Sequence, residues 1–279
     1  MMRIWYGLCE LLQMPWLEMD FMKHALLAVL LMGPLFGILS TMVVTGKMSF
    51  FSDALGHSGF TGIAVGVLCG SVFPVRWAVG FAVFFAVLFS FVKRRSGHAT
   101  ETVIGVFSST AVALGIFIAT MNGSSFTKFN RYLIGDILSV TPGELGLLAL
   151  VLAVVAVLWC FLSNRLVLTA IHPQLASSRG IPVGTYELIF TVLIAVVVTL
   201  SMSWVGLMVI NSLLVLPAAA ARNIAKDLRQ YHLVSVLGAL GAGILGLVTS
   251  YYLGSSTGAV ISLYLALWFA VTLCLRKRG

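Results

Sequence analysis

The chain has 279 residues, of which 60% are hydrophobic and only 9% charged, with a mean hydropathy of +1.06. A soluble domain carries about 25% charged residues, so this composition excludes a water-soluble globular protein and requires a polytopic membrane protein. The net charge of +8 does not point to nucleic acid, because the basic residues stand in short blocks between apolar runs: Lys93-Arg94-Arg95, Arg222 to Arg229, and Arg276-Lys277-Arg278.

Residues 1–20 mix Trp5, Glu10, Trp16, Glu18 and Asp20 with Leu and Met. They read as an interfacial amphipathic segment and carry no cleavable signal peptide. From residue 21 to 279 the pattern is that of one transmembrane domain. A span needs about 20 apolar residues, and nine stretches qualify: 24–45, 53–72, 75–92, 101–121, 143–163, 186–203, 204–221, 231–252 and 257–275. The segment 204–221 is the weakest. It follows its predecessor almost without a loop and contains Pro217, which suits a tilted, broken or re-entrant helix. The predicted fold is therefore all-α, with eight or nine transmembrane helices.

Basic blocks mark cytoplasmic loops. If 93–98, 165–185, 222–230 and the C-terminus face the cytoplasm, then 122–142 and 253–256 face outside. Nine spans would place the N-terminus outside and eight would place it inside. Within the large inner loop, about 164–185, the run Ile171 to Pro182 reads as a short helix bounded by Pro173 and Gly180. A short amphipathic helix on that face offers a soluble partner something to grip.

Ionisable residues in such an apolar chain are functional candidates. Asp53 and His57 stand four apart, so a helix places both on one face. A carboxylate beside an imidazole is a usable ligand pair for zinc, manganese or ferrous iron. The bland reading is a helix cap by Ser52 or Asp53 with His57 bonded to a carbonyl. Glu101 opens a span directly after the basic block. It is either a further pathway acid or a dipole-stabilising acid paired with Arg94 or Arg95. Arg131 and Asp136 lie in the outer loop and suit either a turn or contact with a delivering protein. His24 and His98 at span ends read as solvated, and His232 as interfacial. Cys9, Cys69, Cys160 and Cys274 are far apart and read as packing residues, as do the scattered methionines. The only Gly-Lys pair, Gly46-Lys47, lacks the rest of a P-loop. With no HExxH, and with its GxSxG match, Gly254 to Gly258, lying between two apolar spans and without an acid or histidine near it in the sequence, the chain has no visible machinery for ATP hydrolysis, proteolysis or lipid modification.

Four stretches resemble the membrane subunit of bacterial ATP-binding-cassette importers for zinc and manganese, the ABC-3 family. They are Lys47 to Ser58 around Ser52-Asp53-Ala54-Leu55-Gly56-His57; Glu101-Thr102-Val103-Ile104-Gly105; Gly135-Asp136-Ile137-Leu138; and a dispersed set. That set runs from Gly180-Ile181-Pro182 through Val205-Gly206-Leu207 and Leu216-Pro217-Ala218-Ala219-Ala220-Ala221-Arg222 to Ser250-Tyr251-Tyr252. Glu101 stands where the family usually has Asp, and His172 where the inner loop often has an acid. The resemblance implies a permease in the cytoplasmic membrane, paired with a second copy or a paralogue, with the cation passing along the seam past Asp53, His57 and Glu101. It further implies two cytoplasmic ATPase subunits docked on His172, Pro173, Ala176 and Gly180, and an extracytoplasmic metal-binding protein meeting Arg131 and Asp136. Membrane lipid is the remaining partner, no nucleic acid is involved, and no cofactor is tightly bound, the divalent metal being cargo. The rival reading is a stand-alone secondary transporter or channel in which Asp53 and Glu101 carry protons.

Overall fold

The computed structural model of the chain describes residues 5–7, 9, 15–71, 73–121 and 137–275. Among these, every regular element is helical. A 3-10 turn, Pro15–Leu17, precedes α1 (Asp20–Thr45), α2 (Phe51–Leu68), α3 (Pro74–Ser96) and α4 (Thr100–Met121). A second 3-10 turn, Ile137–Ser139, leads into α5 (Pro142–Ile171), α6 (Pro173–Ser178), α7 (Val183–Val205), α8 (Leu207–Ile224), α9 (Leu228–Leu253) and α10 (Thr257–Leu275). All nine expected spans are helices. Eight are long and apolar enough to cross a membrane, and the ninth is α2. Two boundaries differ from expectation. α5 does not stop at 163 but runs through Asn164 and Arg165 to Ile171. The segment 204–221 is interrupted near its start, at Gly206, and not at Pro217. Gly206 (φ +85°) separates α7 from α8, and α8 then continues past Pro217.

Lipid inverts the usual burial rule, since whatever faces it must be apolar. α5 is the most apolar of the spans and the least covered, with 17% of its central window buried. α2 carries Ser52, Asp53, His57, Ser58 and Thr61, and most of its residues are buried by protein.

Contacts group the chain into two compact units: Met1–Thr41, Asp136–Val157 and Trp204–Gly279 form one; Met42–Gly135 and Leu158–Ser203 form the other. In the first unit α1 approaches α9 through small residues. Gly33 faces Leu240 and Gly37 faces the Val236 backbone. The close approach aligns a polar ladder. Ser235 Oγ donates to Gly37 O at 2.7 Å, Ser40 and Ser235 share a hydrogen bond at 2.9 Å, and Thr41 Oγ1 meets His232 Nδ1 at 2.9 Å. Such hydroxyl bonds join helices where lipid supplies no hydrophobic drive. His232 is therefore a bonded, half-buried residue. His24 is likewise not solvated: its Nε2 lies 2.7 Å from Tyr6 Oη, and Trp5 Nε1 donates to Lys23 O at 2.9 Å. His98 is exposed as expected.

In the second unit α2, α3 and α4 are joined by short turns and pack up-down-up. Thr61 Oγ1 of α2 donates to Ala111 O of α4 at 2.7 Å. Phe51, Phe89 and Phe107 stack across the three helices with centroids 4.6 and 5.6 Å apart. The α2–α3 seam depends on Gly62. A Cβ there would stand 2.6 Å from Ala78 Cα and 2.8 Å from Trp77 O, both backbone atoms that cannot yield. Gly62→Ala is expected to part the two helices and cost about 1–3 kcal/mol. Gly80→Ala, where a Cβ meets open space, is expected to be neutral or stabilising by about 0.5–1 kcal/mol. Thermal melts of the two purified variants check the contrast.

Candidate functional site

α2 begins at a turn in which Phe50 occupies the N-cap position and makes no side-chain capping bond. Ser52 does not cap the helix, its Oγ being buried without a hydrogen-bond partner among the described residues. Asp53 sits in the first turn, where the exposed N–H groups favour a carboxylate. One turn on, His57 comes onto the same face, and its Nε2 lies 3.5 Å from Asp53 Oδ2. That separation is long for a hydrogen bond. It matches two donors sharing one cation, since metal–ligand bonds of roughly 2.0–2.2 Å at a tetrahedral angle put the donors about 3.4 Å apart. The helix around the pair is buried, yet the Asp53 side chain is 45% exposed and that of His57 29%. The pair is thus the open edge of an otherwise covered helix.

Among the described residues, no group of three or more His, Cys, Asp or Glu side chains converges as a metal cage. Asp53 and His57 thus stand as a pair of potential donors that no third such side chain joins among the described residues. Glu101 is exposed on the first turn of α4. Thr61 beside Ala111 and Phe60 beside Gly115 join α2 to the middle of α4. The structure does not bring Glu101 into the pair. Nor is it paired with the neighbouring arginines: Arg95 lies over the Phe91 ring at 4.4 Å and Arg94 over Gly184. Arg131 and Asp136 lie outside the described residues.

The inner-loop residues form the predicted short helix, α6. Pro173 is at its first position with His172 at the N-cap, where a missing N–H costs nothing. Gly180 (φ +74°) ends it in the left-handed region. Gly180 N donates to Ser177 O at 2.9 Å and Ile181 N to Ala176 O at 3.0 Å, which is the paired bonding of a Schellman stop. Ala176 is buried, while His172, Pro173 and Gly180 are exposed. A rigid surface knob results.

Immediately downstream, three cationic side chains grip the first turns of α7. Lys93 Nζ of α3 is ion-paired with Glu187 Oε1. Arg165 of α5 donates to Tyr186 Oη and lies over its ring. The Arg94 guanidinium covers Gly184, leaving no room for a Cβ. A cavity of about 110 Å³ beside them is lined by Met42, Met48, Thr169, Pro173, Glu187 and Phe190. Sequence reasoning missed this cluster. The available signal was Glu187, a lone acid inside an expected span and so in need of a named partner. Three buried hydroxyls of the same unit, Ser52 Oγ, Thr199 Oγ1 and Ser201 Oγ, have no hydrogen-bond partner among the described residues.

The sequence model of the ABC 3 transport family matches residues 18–276. The chain is similar to the manganese import system permease protein ScaB of Streptococcus parasanguinis, with 31% identity over 256 residues, covering 91% of this chain and 90% of that one. It is also similar to the high-affinity zinc uptake system membrane protein ZnuB of Haemophilus influenzae, with 26% identity over 259 residues, covering 93% and 99%. Among solved structures it resembles PsaBC from Streptococcus pneumoniae in complex with Fab, with a TM-score of 0.81, 26% identity, and coverage of 100% of this chain and 97% of that one.

Proposed function

The chain belongs to the ABC 3 transport family, and we propose that it conducts a divalent transition-metal cation past Asp53 and His57. It is a multi-pass permease subunit of a metal transporter in the bacterial inner membrane, and ATP is hydrolysed by a separate subunit. The observation that carries the pathway reading is the half-exposed carboxylate–imidazole pair on an otherwise covered membrane helix, with donors 3.5 Å apart.

Two ligands suit transport better than a closed cage, because a carrier must release what it binds. Facing a second copy or a paralogue, the pair doubles to four donors around one symmetric position. The imidazole binds metal only when neutral, so acid competes with the cation. Manganese and zinc are the cargoes favoured by the relatives' names. Metal content of cells with and without this chain, each cation supplied singly, tests the assignment. Accumulation that does not depend on the chain for any divalent cation would remove it.

α6 is the element on which the ATPase subunit docks, through His172, Pro173, Ala176 and Gly180. The grip of Lys93, Arg94 and Arg165 on α7 then passes its displacement to the α2–α4 bundle that holds the ligand pair. Arg131 and Asp136, with the rest of the outer segment, meet an extracytoplasmic metal-binding protein, and Glu101 lines the pathway's end.

The reading requires a fixed orientation. In a background lacking the native cysteines, His98→Cys, beside the basic end of α3, is expected to be shielded from an impermeant thiol reagent in spheroplasts. Ser255→Cys, in the exposed turn between α9 and α10, is expected to react. Clustered positive charge resists outward transfer. The opposite labelling would put α6 on the wrong side for an ATPase.

A further inference from the structure

Within the first unit, α9 and α10 part to leave an open apolar groove of about 420 Å³, lined by Val234, Gly238, Gly241, Leu245, Tyr264 and Trp268 among others. We infer that this groove holds an acyl chain of an anionic phospholipid whose headgroup rests on Lys226 and Arg229.

Three features fit that occupant. The first is length. Val234 to Leu245 spans about 16 Å of helix at ~1.5 Å per residue, which is about half of the ~30 Å hydrocarbon core. The groove is therefore one leaflet deep. The second is charge at one end only. Ile224, which ends α8, also lines the groove, and Arg222, Lys226 and Arg229 flank it in sequence, all exposed. None is in an ion pair among the described residues. Asp227, the acid within this basic segment, caps α9, with Gln230 N donating to its Oδ1 at 2.7 Å, and the segment stays net positive. Lys226 N in turn donates to Gln230 Oε1 at 2.8 Å, and Asn223 Nδ2 to Thr272 Oγ1 at 3.3 Å. The cations are presented on a fixed turn, at the basic end that marks the inner leaflet. There they face the anionic headgroups that polybasic segments attract.

The third feature is the floor. Gly238 has the Trp268 indole seated on it, with Nε1 where a Cβ would be 2.8 Å away. Gly241 has nothing within 4 Å of its Cβ position. A glycine facing empty space leaves room for a chain from outside the protein. A leucine there would project its side chain from a Cβ that meets no neighbouring atom within 4 Å and so take up part of that room.

The test uses the purified full transporter, stripped of lipid in detergent and given back dioleoyl phosphatidylglycerol or dioleoyl phosphatidylcholine, with bound lipid counted by native mass spectrometry. The wild type is expected to prefer phosphatidylglycerol. The preference should fall roughly fivefold for each of Lys226→Gln and Arg229→Gln. Gly241→Leu should lower retention of both lipids while the melting temperature holds or rises. Lys226 lies in the exposed turn before α9 and Arg229 is exposed in the first turn of α9, so these variants keep the test decisive if Gly241→Leu fails to fold. Equal retention of both lipids by the wild type would overturn the inference, as would an unchanged preference in the charge variants or full retention by a folded Gly241→Leu. So would a thiol cross-link between two copies carrying Gly241→Cys in native membranes, because a second copy of the chain would then cover the groove.

Discussion

Asp53→Ala or His57→Ala is expected to reduce metal uptake by more than about a hundredfold while leaving the chain folded and inserted. Loss even of a group that only orients a metal ligand typically costs 10–100-fold, and in the proposed pathway Asp53 and His57 are themselves the ligands. The fold should tolerate the change because both side chains sit at the open edge of α2 and the surrounding packing is made by other residues. Asp53 contributes only a first-turn charge, worth about 0.3–1 kcal/mol. The double variant should be no worse than either single one, since residues that act as a unit are grossly non-additive. Cellular metal content under limiting cation and the melting temperature of the purified complex are the two readouts. Normal accumulation by the double variant would sink the pathway assignment.

Gly180→Pro is expected to uncouple ATP hydrolysis from transport, with cation binding at Asp53 and His57 retained. Proline is locked near φ −65°, whereas Gly180 holds φ +74° and donates its N–H to Ser177 O. The substitution therefore destroys the stop of α6 and frees the segment that carries Ala176. Gly180→Ala keeps the N–H, meets no neighbouring atom, and should cost only about 1–2 kcal/mol of local strain. A graded series follows, in which transport-stimulated ATPase activity of the purified complex falls slightly for alanine and by about tenfold or more for proline. Wild-type stimulation in Gly180→Pro would show that α6 is not the docking element.

What was legible in advance follows from local rules. Lipid demands long apolar runs, so all nine long helices could be read from the chain. The i, i+4 spacing of Asp53 and His57 put both on one face, and Pro173 with Gly180 bounded α6, because each of these depends on backbone geometry within a few residues. The extension of α5 to Ile171 was less legible. Asn164 and Arg165 interrupt the apolar run without breaking the helix, and Arg165 finds Tyr186 only once α7 has folded beside it.

Composition and periodicity alone thus determined an all-helical membrane protein, its long helices, the shared face of Asp53 and His57, and the inner helix. Only the tertiary structure decided which charges meet. Lys93 and Glu187 are separated by most of three helices in the chain, as Thr41 and His232 are by nearly the whole protein. It also decided that Glu101 forms no cluster with Asp53 and His57 among the described residues, and that an apolar groove opens beside Gly241. Helix periodicity places a residue on a face, but the neighbour of that face is set by how small residues such as Gly33, Gly37 and Gly62 let helices approach. That is a property of pairs of surfaces, which no single stretch of sequence contains.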